Sequence, residues 1–389
     1  MRIIAAILFF LLAVVPAAAE TVTFGFLSLE GDPRYSESRL DMRLPAQPWG
    51  KPDQGAEVAL RESRFVGSAL GVEFDLESVV VAEPKEAASA LDAFIEQEIS
   101  FVLLDLPGEL VAQLAQATAG RDVMLFNISA PDDALRQTAC SENLLNIGPS
   151  RAMLSDALAQ YLVRQDWRDV MVLKGEAPED EAVFAAFERS AKRYGLNITE
   201  VRPFVLGSDP RERQRNNVAL LTSDAEYDVL FIAEASGEFA REVPFRTQHP
   251  RPAVGAAGLT PNFWHWAWER HGAAQLNNRF ERQAERFMTG YDWAAWIATK
   301  AVVEAVVRTE TTEFGAVADY VRSEEIVLDG FKGYPLNFRP WNNQLRQPVF
   351  LTMPNWVVDR APFEGFLHET NNLDTLGFDE RETQCALSR

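Results

Sequence analysis

The sequence predicts an α/β protein made of two doubly wound, Rossmann-like lobes. Short runs rich in Val, Ile, Leu and Phe alternate with longer amphipathic stretches, which is the pattern of a parallel sheet with crossover helices. The alternation falls into two series, residues 21–126 and 170–255, and each has the size of one such lobe. The length of 389 residues and the hydrophobic content of 47% are sufficient for two separate cores.

The elements follow in order along the chain. Eight segments have the composition of strands: 21–27, 72–81, 100–104, 123–128, 170–173, 197–204, 228–233 and 253–255. Helical periodicity predicts helices at 55–70, 86–98, 108–119, 150–165, 179–194, 211–223, 275–288, 291–308 and 314–321. Further strands are predicted at 336–338 and 349–352. Residues 28–54 form a long loop after the first strand, and long ordered loops at that place are often functional.

The first 19 residues have the features of an export signal. Arg2 precedes an unbroken apolar run at 3–15, and small residues follow at 17–19. Thirteen apolar residues are fewer than the roughly 20 that a membrane-spanning helix needs. We therefore expect a signal peptide at 1–19, a periplasmic location and no membrane insertion.

Composition argues against several classes of function. The chain has 57 Asp and Glu against 37 Lys and Arg, a formal net charge of −20, which repels nucleic acid and anionic lipid. A small carboxylate ligand is still compatible with this charge, because a cleft responds mainly to its local residues. The common nucleophile, phosphate-loop and zinc motifs are missing from the sequence, so we expect neither an enzyme nor a catalytic cofactor. His265 and Glu269 have helical i, i+4 spacing, but without a third ligand they predict no metal site.

The two cysteines, Cys140 and Cys385, lie 245 residues apart. An even number of cysteines in an exported protein usually indicates a disulfide, because the compartment is oxidising. We predict a bond between them that ties the C-terminal end to the middle of the chain. The alternative is two free thiols.

An unusual cluster of tryptophans occupies positions 264, 266 and 268. On a helix, Trp264 and Trp268 would share one face while Trp266 would point elsewhere. Large flat side chains suit a planar ligand, so the cluster favours a ligand wall, with packing between lobes as the alternative. Trp293 and Trp296, in the apolar helix at 291–308, are predicted to be core residues.

Polar residues follow several of the predicted strands, at the ends where doubly wound domains bind ligands. In the first series these are Asp105 and Ser129, and in the second Lys174, Glu234 and Ser236. Lys174 is one of only six lysines in a chain whose cations are mostly arginine. We expect these turns to line a cleft between the lobes, with a solvated strand-end lysine as the alternative for Lys174.

The ordered set of segments resembles the type I periplasmic solute-binding proteins of ABC transporters, in the leucine/isoleucine/valine-binding branch. The resemblance covers nearly all of the chain after residue 20 and rests on segments 22–27, 55–60, 126–130, 147–150, 291–295 and 328–333. It implies a monomer with two lobes joined by three hinge crossings, which works with a transporter permease. The implied division is a first lobe of 20–143 and 260–340, a second lobe of 144–259 and 341–355, and an extended tail of 356–389. Asp105-Leu106-Pro107 stands where amino-acid binders of that branch offer Ser or Thr, so the turn is a poor host for an α-carboxylate.

A narrower resemblance points to the subgroup associated with alcohol dehydrogenase systems that depend on pyrroloquinoline quinone. It rests on segments 264–266 with Glu269, 272–276, 329–333, 338–341 and 345–348. It implies a flat ligand with three carboxylates, most simply pyrroloquinoline quinone itself. Trp264, Trp266 and Trp268 would then stack on the ligand, Lys174 would meet a carboxylate, and Ser129 and Ser236 would donate hydrogen bonds.

Two other functions stay open from the sequence. One is the binding of a branched-chain amino acid or a short amide. The other is a role as an assembly partner of a periplasmic quinoprotein dehydrogenase without a ligand of its own.

Overall fold

The computed structural model describes residues 20–42, 49–207 and 215–387. The predicted signal peptide at 1–19 lies outside the described residues, as does the first part of the predicted helix at 211–223.

A five-stranded parallel sheet forms the centre of the first lobe. Its strands are β1 (Glu20–Leu29), β2 (Val72–Val81), β3 (Phe101–Asp105), β4 (Met124–Asn127) and β5 (Leu144–Asn146). They lie in the order β2-β1-β3-β4-β5, and every neighbouring pair is parallel. The connecting helices in this part of the chain are α1 (Glu37–Met42), α2 (Asp53–Leu70), α3 (Ala87–Glu96) and α4 (Gly108–Ala117). The strand order reverses between β1 and β3, and such a reversal leaves a crevice at the carboxyl ends of the strands.

The second lobe repeats this plan around four parallel strands. They are β6 (Asp169–Lys174), β7 (Asn197–Pro203), β8 (Val229–Ala233) and β9 (Ala253–Gly255). The order is β7-β6-β8-β9. The helices of this lobe are α5 (Arg151–Arg164), α6 (Pro178–Tyr194) and the short α7 (Val218–Leu221). The predicted α/β class with parallel sheets is therefore confirmed.

The chain then returns to the first lobe with three helices and a short hairpin. They are α8 (Ala273–Ala284), α9 (Gly290–Thr309), α10 (Phe314–Arg322), and the strands β11 (Leu328–Asp329) and β12 (Pro335–Leu336). Thr289 and Asp292 form a capping box at the start of α9. Gly55 lets α2 lie against this helix, because a Cβ there would overlap the carbonyl oxygen of Asp292. The prediction that Trp293 and Trp296 are core residues is confirmed, since both are buried in α9.

A small antiparallel sheet connects the two lobes. It consists of β10 (Thr260–Asn262), β13 (Val349–Met353) and β14 (Trp356–Ala361), in the order β10-β13-β14. Successive side chains of a strand point to opposite faces. Phe350 accordingly packs in the first-lobe core, while Val349 and Leu351 pack in the second-lobe core. This connecting sheet therefore lies between the two cores.

The C-terminal segment differs from the extended tail that the sequence predicts at 356–389. Its first six residues form β14 of the connecting sheet. Phe363 and Leu376 are buried in the second-lobe core. The sequence predicts a tail here because the many Asn, Pro, Asp and Glu residues obscure the pattern of a short strand. Beyond this strand, the sulfur atoms of Cys140 and Cys385 are bonded to each other.

Buried side chains hold the crossings between the lobes together. The Arg136 guanidinium donates from Nη2 to the Gly148 carbonyl at 2.7 Å and from Nε to the Gln344 Oε1 at 2.8 Å. The Gln347 amide donates to the Ile147 carbonyl at 2.5 Å. Residues 147–148 and 344–347 thus run beside each other at the junction of the lobes. None of the described helices is long and apolar enough to cross a membrane.

Lys332 is a fully buried lysine in the first-lobe core. Its Nζ donates to the Gln347 Oε1 at 2.7 Å and lies 3.5 Å from the centre of the Trp293 ring. Burial lowers the pKa of Lys332 well below its usual value. Between this pKa and the ordinary value of about 10.4, the unfolded chain binds a proton that the folded protein does not. Stability from this group therefore rises with pH through that window and is lost as the pH falls.

We expect Lys332→Met to remove this pH dependence. The variant should have a higher free energy of unfolding than the wild type, and this difference should be larger at pH 6 than at pH 9.5. The reason is that only the wild type must bury an amine that is protonated in the unfolded chain. Urea denaturation at several pH values measures the difference. Lys85→Met, at an exposed site, is the control and should show no such trend. A difference for Lys332→Met that is constant with pH would contradict the prediction.

Candidate ligand-binding site

A cavity of about 500 Å³ lies between the two lobes. The first lobe contributes Trp49 and Tyr291, and the second contributes Leu154, Phe245 and Gly258. A cavity of this size is typical of sites for small organic ligands. The remaining lining residues come from the helix start at 288–290, the turn at 241–244, and the segments 257–266 and 352–354: Arg241, Pro244, Ala257, Thr260, Pro261, Asn262, Phe263, Trp264, His265, Trp266, Met288, Thr289, Gly290, Thr352, Met353 and Pro354.

The chemistry of this cavity differs from that of the whole protein. None of the described residues that line it is Asp or Glu, although the chain has a formal net charge of −20. Arg241 is the only Lys or Arg among the described lining residues. Most of the remaining wall is apolar or aromatic, and Phe263 and Tyr291 meet edge to face at 5.7 Å between ring centres. The cavity therefore suits a flat ligand that has a largely apolar body and an anionic group.

His265 lines the cavity as a neutral ring. Burial lowers its pKa to about 4, because the charged form is poorly solvated there. Its Nδ1 accepts a hydrogen bond from the Ala267 amide at 3.1 Å. Arg241, the one Lys or Arg of the described lining, is a solvent-exposed residue.

The tryptophan cluster lies in a loop rather than on a helix. Residues 263–269 form a loop with a turn, and the next helical residues are Arg270–Gly272. In this loop Trp264 and Trp268 point into the first-lobe core. The Trp264 Nε1 donates to the Asn277 Oδ1 at 3.0 Å, and the Trp268 Nε1 donates to the Phe331 carbonyl at 2.9 Å. Trp264 and Trp268 are thus mainly packing residues, and only part of each ring lines a cavity. That all three indoles face a ligand stays a prediction.

Trp266 is the half-buried member of the cluster. Its ring stacks on Phe287 at 4.4 Å between centres and lies 5.5 Å from the His265 ring. Its Nε1 is buried and has no hydrogen-bond partner among the described residues. Trp266 lines the interlobe cavity and also a second cavity of about 710 Å³. A buried indole N–H without a partner carries a desolvation cost that no contact within the described residues offsets.

The first-lobe strand ends carry the predicted residues Asp105 and Ser129. Asp105 is fully buried and accepts hydrogen bonds from the Arg34 Nη2 at 2.8 Å and the Tyr35 hydroxyl at 2.6 Å. Its carboxylate is therefore occupied by the protein. Ser129 is 95% buried, and its hydroxyl has no described partner. Ser28, at the carboxyl end of the neighbouring β1, also has a buried hydroxyl without a described partner.

The second-lobe residues are also engaged with the protein. The Lys174 ammonium forms an ion pair with Glu181 on α6 and lies 5.2 Å from the Phe184 ring centre. Glu234 accepts from the Ala240 amide at 2.7 Å and the Phe239 amide at 3.1 Å, and the Ser236 hydroxyl donates to it. Glu234 thereby holds the start of the 3₁₀ helix Ala240–Phe245, which presents Arg241 and Phe245 to the cavity. Neither Lys174, Glu234 nor Ser236 is among the described residues that line either cavity.

Residues 41–238, just over half of the chain, match the periplasmic binding protein family. The chain belongs to the periplasmic binding protein family. Proteins of this family bind solutes and carry no catalytic cofactor, and membership implies a periplasmic location. A search of curated protein sequences finds no match.

Solved structures support the fold of this periplasmic binding protein. A branched-chain amino-acid ABC transporter periplasmic ligand-binding protein from Burkholderia xenovorans superposes with a TM-score of 0.75 at 14% identity, covering 94% of this chain and 99% of that one. A solute-binding protein from Rhodopseudomonas palustris in complex with benzoate gives 0.67 at 11% identity, covering 94% and 100%. A substrate-binding protein from Desulfitobacterium hafniense in complex with Leu gives 0.66 at 16% identity, covering 88% and 100%. The predicted type I periplasmic binding protein fold is therefore confirmed.

Sequence reasoning named neither Arg34, which pairs with Asp105, nor Arg241, which lines the interlobe cavity. Arg34 lies in the long loop at 28–54, which the sequence singles out as functional without naming a residue. Arg241 lies in a short 3₁₀ helix that has no periodicity to reveal it. The position of Arg34 depends on Asp105, 71 residues later in the chain, so the sequence carries no local signal for it.

Glu269 lies on the second cavity of the binding protein rather than on the interlobe cavity. This second cavity is also lined by Trp268, Trp356 and Arg360. Glu269 is exposed, and His265 faces the other cavity. In the part of the chain that the structure describes, no group of His, Cys, Asp and Glu side chains is suited to hold a metal ion.

Proposed function

We propose that this periplasmic binding protein captures a small, planar, carboxylated ligand in the interlobe cavity and that pyrroloquinoline quinone is this ligand. In this proposal the protein serves as a monomer in uptake through an ABC permease or in delivery to a quinoprotein dehydrogenase, and it performs no chemistry on the ligand. The observation that carries the proposal is the aromatic cavity with Arg241 and without a described acidic residue.

Physical chemistry supports a flat anion in this cavity. Aromatic side chains provide large, rigid contact surfaces for a ring system. An arginine binds a carboxylate through charge-assisted, often bidentate hydrogen bonds. The solved structures of similar fold include complexes with benzoate and with 3,4-dihydroxybenzoic acid, which are planar aromatic acids.

A branched-chain amino acid is the second candidate. One structure of similar fold holds leucine, and the apolar wall suits an aliphatic side chain. An amino acid also carries an ammonium group, which needs a carboxylate or several acceptors when it is buried. The described lining of the cavity offers no carboxylate, so this candidate ranks behind the planar acid.

A binding titration tests the proposal. The mature protein, residues 20–389, is titrated separately with pyrroloquinoline quinone, benzoate and leucine, by tryptophan fluorescence and by isothermal calorimetry. We expect the strongest binding for the quinone. Tighter binding of leucine would support the amino-acid candidate. Absence of binding to all three probes, together with co-purification with a periplasmic dehydrogenase, would support the assembly-partner role and overturn the proposal.

Arg241→Gln is expected to weaken binding of the quinone about tenfold, because one charge-assisted hydrogen bond contributes about 1.5 kcal/mol. Calorimetry measures the change in Kd. The matched control is Arg246→Gln, since Arg246 lies one residue beyond the same 3₁₀ helix but pairs with Glu242 at the surface. Equal effects of the two variants would contradict a direct contact between Arg241 and the ligand.

A further inference from the structure

Asp105 connects the end of β3 to the loop that follows β1. Its carboxylate is fully buried and accepts from Arg34 at 2.8 Å and from Tyr35 at 2.6 Å. The two donors lie about 70 positions earlier in the sequence. A buried carboxylate without these partners would carry a large desolvation cost. Asp105 therefore anchors residues 32–40, which we call the Arg34 segment, to the carboxyl edge of the first sheet.

Arg34 also contacts a residue of the cavity wall. Its guanidinium also forms hydrogen bonds to Asp32, from Nη2 at 2.6 Å and from Nε at 3.0 Å. Its Cζ lies 5.3 Å from the centre of the Tyr291 ring, which lines the interlobe cavity. Arginine stacks well on aromatic rings, so the guanidinium restricts where this ring can lie. A continuous set of contacts thus runs from Asp105 through Arg34 to Tyr291.

The anchoring groups keep their hydrogen-bonding forms near neutral pH. Burial alone would lower the pKa of Arg34, but the negative charge of Asp105, together with smaller contributions from Tyr35, Asp32 and Tyr291, raises it. Burial and the same carboxylate raise the pKa of Tyr35 well above its usual value. Arg34 therefore stays charged and Tyr35 stays a donor across the physiological range.

The other end of the Arg34 segment reaches the second lobe. The Arg39 Nη2 lies 3.2 Å from the Glu238 Oε1, in the turn that follows β8. The Arg39 side chain is 20% exposed and that of Glu238 is 47% exposed. Ion pairs with this much exposure contribute little to stability, about 0.2–1 kcal/mol. The strong attachment of the segment is therefore at Asp105.

We propose that Asp105 is a positioning residue that selects the class of ligand. Arg34 and Tyr35 occupy the polar end of β3, so a ligand cannot use this carboxylate and is directed to the aromatic cavity. The anchored Arg34 segment in turn sets the position of Tyr291 at the wall of that cavity. A large planar ligand depends on this wall more than a small one does. The inference rests on the proposed function, since it concerns the same cavity.

The first experiment needs no ligand. Hydrogen exchange of the full mature protein is compared for the wild type, Asp105→Asn and Arg34→Gln. We expect amides of residues 32–40 to exchange at least tenfold faster in both variants. Asp92→Asn is the matched control, because Asp92 forms an exposed pair with Arg121 in the same lobe. Unchanged exchange in both Asp105→Asn and Arg34→Gln would overturn the anchoring role, and Arg34→Gln keeps the test valid if Asp105→Asn does not fold.

The second experiment compares two ligands in the same variants. The Kd for pyrroloquinoline quinone should rise at least tenfold in Asp105→Asn and Arg34→Gln, while the Kd for benzoate should change less than threefold. A purely structural role would lower the melting temperature and leave the ratio of the two affinities unchanged, which would overturn the proposal. If the wild type binds neither probe, the proposed function and the ligand-selecting role both fail. Hydrogen exchange then still decides whether Asp105 anchors the segment.

Discussion

Asp374→Asn is expected to lower the free energy of unfolding by about 3–5 kcal/mol, because it removes the charge that two buried arginines share. Asp374 is fully buried and accepts from the Arg339 Nε at 2.8 Å and the Arg346 Nε at 2.9 Å. Burial lowers the pKa of Arg339, which reflects how costly its charge is at this position. Without the carboxylate, both guanidinium groups lose their counter-charge in the interior. Urea denaturation of the wild type and the variant measures the loss.

Asp319→Asn is the matched control for this experiment. It makes the same chemical change opposite an arginine, Arg322, at 2.8 Å, but the Asp319 side chain is 80% exposed. Surface pairs contribute about 0–1 kcal/mol, so the control should lose no more than that. A loss in Asp374→Asn as small as in the control would show that the C-terminal segment contributes little to the junction of the lobes.

Trp293→Ala is expected to cost about 3–5 kcal/mol of unfolding free energy, which is typical for truncating a buried tryptophan. Trp293 is fully buried, lies nearly parallel to Trp264 at 6.0 Å between ring centres, and donates from Nε1 to the Gly330 carbonyl at 3.0 Å. The substitution leaves a cavity, an unpartnered carbonyl group and an uncovered Lys332 Nζ. Chemical denaturation monitored by far-UV circular dichroism measures the change.

Trp356→Ala is the control for the tryptophan experiment. Trp356 is 67% exposed on β14, so its truncation removes little buried area and should cost far less than that of Trp293. Trp293→Phe keeps an aromatic ring at this position but removes the indole N–H and part of the ring volume, so it should cost less than Trp293→Ala. Equal losses in Trp293→Ala and Trp356→Ala would contradict the central packing role of Trp293.

Most strands and helices were predictable because their signals are local. Runs such as 101–104 and 170–173 are apolar throughout, as expected for strands buried on both faces of a parallel sheet. Strands β5 and β10, each of three residues, were missed, although the equally short β9 was predicted. Strand β14 was missed because it lies in a polar segment and is stabilised by pairing with β13 rather than by its own pattern.

The binding site was only partly predictable, and the strand-end residues show why. Asp105 and Glu234 were correctly placed at the carboxyl ends of strands, yet both accept hydrogen bonds from the protein itself. Most buried polar groups are hydrogen-bonded, and here donors of the protein itself bond to both carboxylates. The tryptophan cluster lies in a loop that is held by tertiary contacts, such as the Trp268 hydrogen bond to the Phe331 carbonyl, and no local pattern predicts these contacts.

The sequence by itself determined the α/β class, the two series of strands and the absence of known catalytic motifs, because these depend on residue order over short stretches. Only the tertiary structure decided which side chains face the interlobe cavity. Residues as far apart as Trp49, Leu154 and Thr352 line it, and Arg34 pairs with Asp105 across 71 positions of sequence. Such contacts form only when distant segments meet in the folded chain, so no local pattern encodes them.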